Sequence, residues 1–450
     1  MGGSGGSGPQ SDLQLTSVEI CAGAGGQAVG LHEAGFRHLA LVEWDPHAVE
    51  TLKANVGRWH GWDEEKVENL KSQDVKEFLG SDQRKNLDLG DDRLDLLAGG
   101  VPCPPFSLAG KRLGEDDERD LFPDMLKIVR ELRPKAVMIE NVRGILQPPH
   151  VFIEYRRRIL ETLGSLGYDV PDIDEDWPVE RQDKEMRRVW RLLEARDFGV
   201  PQLRPRAILV VIHKDFLGDR SFVWPKRLIE DVVSVKDVLE DSMRERCEQF
   251  WDKNKRGRRA RSGERTGQQV FEAWLEAAGK AEANSSDGVA PTLVGGSKKH
   301  GGADLGPTRA KRAWAAMGVD ATGVANDPDA CDPERDLFRP AGPMLTVGQA
   351  ARIQGFPRNW KFQGGKTARY RQVGNAFPPP VAEAVGRAIA AVLRPDDRES
   401  LLKRYEMEED QAVLTAEETA HQMTAFPASA LVEPRPASED RSGDLIGAKR

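Results

Sequence analysis

The chain has 450 residues, with 65 Lys and Arg against 73 Asp and Glu, for a formal net charge of -8. That length accommodates one large α/β domain plus a smaller one, and no apolar run approaches the roughly 20 residues of a membrane-crossing helix. Cys21, Cys103, Cys247 and Cys331 are far apart in sequence, so neither a disulfide framework nor a metal site is expected. Much of the acidity lies at the end: from Asp396 onward there are 13 acidic and seven basic residues. The rest is close to neutral, and local basic patches matter more than the total for any nucleic-acid partner.

Residues 1–11 are a Gly/Ser-rich leader of the kind appended for expression and carry no fold information. From Ser17, Val18-Glu19-Ile20-Cys21 predicts a strand, and Ala22-Gly23-Ala24-Gly25-Gly26-Gln27-Ala28 a glycine turn opening a helix. Leu39-Ala40-Leu41-Val42-Glu43 predicts a second strand ending in an acid. This is the pattern of a βαβ nucleotide site, in which Glu43 would accept bonds from ribose hydroxyls. The same glycines satisfy a dinucleotide fingerprint, so an NAD-dependent oxidoreductase stays open at this point, as does a turn without a ligand. Trp44 offers an aromatic face for an adenine, and Asp45-Pro46 starts a helix carrying Ala48, Val49, Leu52 and Val56.

The continuous apolar run Leu94 to Ala98 predicts a buried strand, which Gly99-Gly100 breaks. Val101-Pro102-Cys103-Pro104-Pro105-Phe106-Ser107 follows. Its three prolines fix three φ angles, so little entropy is lost when Cys103 is held in one place, as a nucleophile requires. An inert cysteine on a proline-rich turn is the plain alternative. Leu113 to Asp120 predicts a polar surface loop, and the next stretch a helix with Met125, Ile128, Val129 and Leu132 on one face. Ala136 to Ile139 predicts a buried strand ending in Glu140-Asn141-Val142. A carboxylate there lies where α/β proteins place ligands, and burial would raise its pKa toward a proton-donating range.

Val189 to Leu193 and Ala207 to Ile212 predict further strands, linked through Gln202-Leu203-Arg204-Pro205-Arg206. By the period-two alternation of a strand, Arg204 and Arg206 would face one pocket; a solvated basic edge is the alternative. Between Lys214 and Arg339 periodicity weakens. A basic run there includes Lys255, Arg256, Arg258 and Arg259, followed by the glycine-rich stretch with Lys298 and Lys299, and by Arg309. Such cations suit phosphate and groove contacts, although runs of this kind are also common in plain solvated segments. Tyr370 to Val381 contains Gly374-Asn375-Ala376-Phe377 and enters a helix with Val385, Ile389, Val392 and Leu393. The tail from Asp396 is polar and acidic, and disorder is expected there.

The glycine turn, Glu-Trp, Pro-Cys, Glu-Asn-Val, Gln-x-Arg-x-Arg and Gly-Asn-Ala-Phe segments together, in this order, resemble the DNA cytosine-5 methyltransferase family over most of Val18 to Leu393. The resemblance implies an α/β fold with a Rossmann-like, mostly parallel S-adenosylmethionine-dependent core and a smaller irregular target-recognition domain. The implied division is a core over 12–212, recognition over 213–340, a returning core segment over 341–395 and the tail over 396–450. Cys103 would attack carbon 6 of cytosine, Glu140 would contact N3 and Arg206 the carbonyl oxygen, with Arg204 supporting the loop and a nearby phosphate. S-adenosylmethionine would lie on Cys21, Ala22, Gly23, Gly25, Gly26, Glu43, Trp44, Asp74, Val75, Pro102, Asn375 and Ala376. Ser107, Lys255, Arg256, Arg258, Arg259, Lys298, Lys299 and Arg309 are the expected DNA contacts. Two departures stand out: Pro104 replaces a Gln, and Cys21 a Phe, which implies a looser adenine pocket. Expected partners are double-stranded DNA and a cognate restriction nuclease, for a cytoplasmic, monomeric bacterial modification enzyme without a membrane partner. An RNA methyltransferase on the same scaffold and a catalytically silent DNA-binding protein are the rival readings.

Overall fold

A computed structural model describes residues 14–87, 89, 93–102, 120–251, 265–284, 287–295 and 303–408. Among them the strands in chain order are β1 (Leu15–Ile20), β2 (Phe36–Val42), β3 (Leu96–Gly100), β4 (Ala136–Val142) and β5 (Trp190–Glu194). They continue with β6 (Gln202–Leu203), β7 (Pro205–Ile212), β8 (Pro225–Leu228), β9 (Ala290–Pro291) and β10 (Tyr405–Met407). Six of these form one sheet in the order β2-β1-β3-β4-β7-β5. The first four pair in parallel, whereas β7 runs antiparallel to both β4 and β5. That reversal follows from chain length, because residues 195–204 between β5 and β7 are too few for a parallel crossover.

The parallel strands read as unbroken apolar runs because both sheet faces are covered. On one face, Val18, Leu97, Val137 and Leu209 pack with Met125, Ile128 and Val129 of the helix Phe122–Leu132. On the other, Leu96, Met138 and Ile208 meet Val381, Val385 and Ile389 of the helix Pro379–Leu393. That late helix also lies on the first one, Gly26–Glu33, and a Cβ at Gly30 would come within 2.2 Å of the Pro379 carbonyl. Only glycine permits this approach.

A separate apolar cluster gathers Trp274, Trp314 and Tyr370 with residues from Val235 to Ala376. The weakly periodic stretch after Lys214 is more helical than its sequence suggests, with helices Val235–Glu248, Gly267–Ala283 and Thr308–Ala316. The first two of these open with reciprocal capping boxes, Ser234 with Asp237 and Thr266 with Gln269, and the inward face of Gly267–Ala283 is mostly small or aromatic. Order also extends beyond the expected boundary at residue 396. The strand β10 pairs with β8, and Arg191 donates to Glu408 from Nε (3.1 Å) and Nη2 (2.7 Å). The polar composition of this stretch is taken up by strand pairing and by ion pairs of Glu406 and Glu408.

Candidate active site

Parallel pairing brings the carboxyl ends of β1, β2, β3 and β4 to one edge, where open α/β sheets bind ligands. After β1 the chain makes a tight turn with positive φ at Cys21 (51°), Gly23 (55°) and Gly25 (86°), and Gly25 caps the helix Gly26–Glu33. Gly25 is confined from outside, since a Cβ there would lie 2.8 Å from Trp360 and 2.9 Å from Leu52. At Gly23, by contrast, a Cβ would meet nothing within 4 Å, so the turn opens onto free space. After β2, the Glu43 carboxylate turns back and accepts from the amides of Gly23 (2.7 Å), Trp44 (2.9 Å) and Asp45 (2.8 Å). Burial pushes the Glu43 carboxyl above its ordinary value, against those three bonds.

Trp44 leaves 75 % of its surface exposed. Asp74 is exposed and accepts from the Lys76 amide at 2.9 Å, while Val75 is buried; the Gln73 amide donates to the Glu43 carbonyl at 2.8 Å, which ties this segment to the turn. Ala22 is buried and donates to the Val42 carbonyl at 3.0 Å. Ala376 returns to the same place: a Cβ on Gly26 would lie 3.1 Å from the Ala376 methyl. Asn375 is exposed, and a Cβ on Gly295 would lie 2.2 Å from its Oδ1. The Cys21 thiol is pushed far up, first by burial and then by Glu43 and Asp74, so it stays protonated and inert.

The second half of the edge carries the ionisable groups. Gly99 packs against β1 so closely that a Cβ would sit 2.5 Å from the Ile20 carbonyl. Gly100 stands opposite Glu140 in the β3–β4 register, and its lack of a side chain leaves Glu140 Oε2 uncrowded. Arg206 Nε meets Glu140 Oε1 at 2.7 Å, with both side chains largely buried. Burial raises the Glu140 carboxyl above its ordinary value, and Arg206 opposes without cancelling this. Beside it, Asn141 Nδ2 donates to the Val101 carbonyl at 2.7 Å and so fixes the exit of β3 just ahead of Pro102. Pro102 is exposed and is the last described residue before Cys103. Cys103, Pro104, Ser107, Lys255, Arg256, Arg258, Arg259, Lys298, Lys299 and the loop 113–119 lie outside the described residues.

Arg204 is 1 % exposed and donates from Nη1 to the Leu293 carbonyl (2.7 Å), and from Nη2 to the carbonyls of Gly374 (2.7 Å) and Ala376 (2.8 Å). A guanidinium so enclosed ties loop backbone together, in line with its expected support of the loop, and leaves no exposed face for a phosphate. Arg204 precedes β7, which begins at Pro205, yet its charge acts on both Arg206 and Glu140, so the two arginines lie close together. Arg204→Met should lower stability by about 3 kcal/mol or more in urea unfolding, because three buried carbonyls lose their donor.

Glu194 accepts the Arg204 and Ala195 amides, and burial pushes its carboxyl up to about 7. Between its ordinary 4.5 and about 7 the folded state holds a proton that the unfolded state has lost. Stability from this group is therefore present at low pH and falls as pH rises through that window. Glu194→Gln keeps an acceptor for both amides and removes the titration. Relative to wild type it should gain about 2 kcal/mol between pH 5 and pH 8 in urea unfolding.

The sequence motifs contain Asn141, Gln202 and Gln354 without giving any of them a role, and Thr51, Asn55 and Trp360 stand outside those motifs. Gln202 Nε2 donates to Gln354 Oε1 at 2.6 Å, and both are fully buried. The longest-range partners of these residues lie 40 to 336 positions away, so no local pattern marks those bonds. Arg309 is exposed in the first turn of the helix Thr308–Ala316.

A glycine turn with a buried acid after the next strand, and a Glu–Arg pair at the same sheet edge, define an α/β enzyme that uses a nucleoside-bearing cofactor. The model of the C-5 cytosine-specific DNA methylase family matches residues 15–391. The chain is 44 % identical over 380 residues to the type II methyltransferase M.NaeI of Lentzea aerocolonigenes, covering 84 % of this chain and 75 % of that one. It is 41 % identical over 389 residues to M.NgoMIV of Neisseria gonorrhoeae, covering 86 % and 100 %. The protein belongs to the C-5 cytosine-specific DNA methylase family: it is a DNA (cytosine-5-)-methyltransferase, with S-adenosylmethionine as methyl donor. That sets aside the NAD-dependent oxidoreductase. Among the described residues no helix is long and apolar enough to cross a membrane, and no group of His, Cys, Asp and Glu could hold a metal ion.

Proposed function

We propose that this chain methylates carbon 5 of a cytosine flipped out of duplex DNA at one short sequence, through a covalent bond between Cys103 and carbon 6. Carbon 6 is inaccessible inside a duplex, and extruding the base costs a few kcal/mol. The Cys103 thiolate forms the bond to carbon 6 while Glu140 hydrogen-bonds or protonates N3 and Arg206 supports O2, which draws the ring electrons toward those atoms and away from the thiolate. Carbon 5 then becomes nucleophilic, and the methyl group it takes is the one chemical contribution of S-adenosylmethionine. Water removes the carbon 5 proton, the returning electron pair breaks the carbon 6 to sulfur bond, and 5-methylcytosine and Cys103 are released.

The single observation that carries this reading is the buried Glu140–Arg206 pair, at 2.7 Å, opposite the glycine that leads into the Cys103 segment. The methyl donor fits the open side of the glycine turn: Glu43 would take the ribose, the exposed Trp44 face the adenine, and Asp74 the adenine amino group, with Asn375 and Ala376 toward the methionine end. The region 213–340 would read the target and the segment 341–395 return to the core, with Lys255, Arg256, Arg258, Arg259, Lys298, Lys299 and Arg309 on phosphates and Ser107 on DNA. Both relatives named are type II methyltransferases, which supports a modification role alongside a cognate nuclease; the chain would act as a monomer in a bacterial cytoplasm.

The test is base-resolution sequencing of 5-methylcytosine in genomic DNA from a methylation-free host expressing the chain, with the Cys103→Ala variant in parallel. Methylation at one recurring short sequence, absent with the variant, is the expected result. Unmodified DNA with methylated RNA, or no product from folded, cofactor-bound protein, would overturn the reading.

A further inference from the structure

We propose that Trp360 is a positioning residue for the methyl donor, fixing the glycine turn from a segment 336 residues downstream so that it sets cofactor affinity rather than the transfer step. The proposal rests on the cofactor reading of that turn. Positive φ at Cys21, Gly23 and Gly25 describes a backbone that a free chain rarely holds, so contacts must select it. Two of these are local: the Gly25 amide donates to the Ala22 carbonyl at 3.0 Å, and the Gly23 amide to Glu43. The Ala24 carbonyl is held instead by Trp360 Nε1, at 3.1 Å. The indole also fills the space a side chain at Gly25 would need, with Cζ2 2.8 Å from that Cβ position.

Trp360 is itself held against the cofactor side. Asn55 Nδ2 donates to the Lys361 carbonyl (2.9 Å) while its Oδ1 accepts the Lys361 amide (2.9 Å). Thr51 Oγ1 accepts the Gln363 amide (2.8 Å) and donates to Gln372 Oε1 (2.6 Å). Both side chains are buried on the helix Pro46–Val56, which Asp45 caps directly after Glu43 and Trp44. One downstream segment therefore grips both the turn and the helix behind the ribose acid. Its described bonds do not run to Glu140 or Arg206, so the effect should fall on binding.

Calorimetric titration of the full chain with S-adenosylmethionine and with S-adenosylhomocysteine, together with steady-state kinetics, tests this. Trp360→Phe keeps a ring and loses the donated bond; its Kd for both should rise about threefold to tenfold. Trp360→Ala should raise Kd by roughly tenfold or more, while kcat at saturating donor and KM for DNA stay within about twofold of wild type. An unchanged Kd in Trp360→Phe, or a loss confined to kcat, overturns the proposal, and that variant decides if Trp360→Ala does not fold. Wild-type protein that bound neither compound would instead remove the cofactor reading of the turn.

Discussion

Cys103→Ala is expected to reduce methyl transfer by about 10⁴-fold or more, because carbon 5 is unreactive until a nucleophile has added at carbon 6 and no second group can substitute. The other thiol near the site, Cys21, is half-buried and lies near two carboxylates that hold it protonated, so it offers no bypass. DNA affinity should stay within about threefold of wild type, since phosphate contacts dominate binding and the substitution removes one sulfur atom. Single-turnover assays with labelled donor, and gel-shift titrations on one duplex, give the two numbers. Substantial turnover by the variant would remove the covalent mechanism; DNA binding lost in proportion would make Cys103 a structural residue.

Glu140→Gln should lower kcat by about 10²- to 10⁴-fold, the range expected for loss of a positioned proton donor. The amide matches the carboxyl in size and keeps an oxygen for Arg206 Nε, so β4 and its partners stay in place. The pH profile separates chemistry from structure. Burial outweighs Arg206 and keeps the Glu140 proton to higher pH than the ordinary 4.5. Wild-type single-turnover rates should therefore decline as pH rises through the raised value, and the variant's should lack that limb. The same limb in Glu140→Gln would assign the proton to another group.

The sheet was legible because its strands are buried on both faces and so appear as continuous apolar runs; β4 and the helix Phe122–Leu132 lie where their sequences predict. The placement of Glu43, Glu140 and Arg206 at the sheet edge was legible for a related reason, since short motifs at strand ends mark where α/β sheets bind ligands. The burial of Arg204 was not legible because the carbonyls it serves belong to Leu293, Gly374 and Ala376, 89 to 172 positions away. Trp360, Asn55 and Thr51 were invisible because their partners are more than 300 residues away, and nothing local announces a hydrogen bond across such a distance. The helices after Lys214 were missed because Gly267–Ala283 buries alanines beside its aromatics, which flattens the contrast between faces.

The packing of Pro379–Leu393 against Gly26–Glu33 also bears on how the chain is born. The first helix leaves the ribosome roughly 350 residues ahead of the one that covers it, which at about 5 to 20 residues per second is a wait of roughly 20 to 70 s. From their own synthesis until the covering helix emerges, Leu96, Met138 and Ile208 lack the neighbours that finally enclose them. Late closure by a distant segment makes for a high contact order and slow folding. The exposed apolar face of the unfinished sheet is thus the part of the nascent chain most in need of shelter from aggregation.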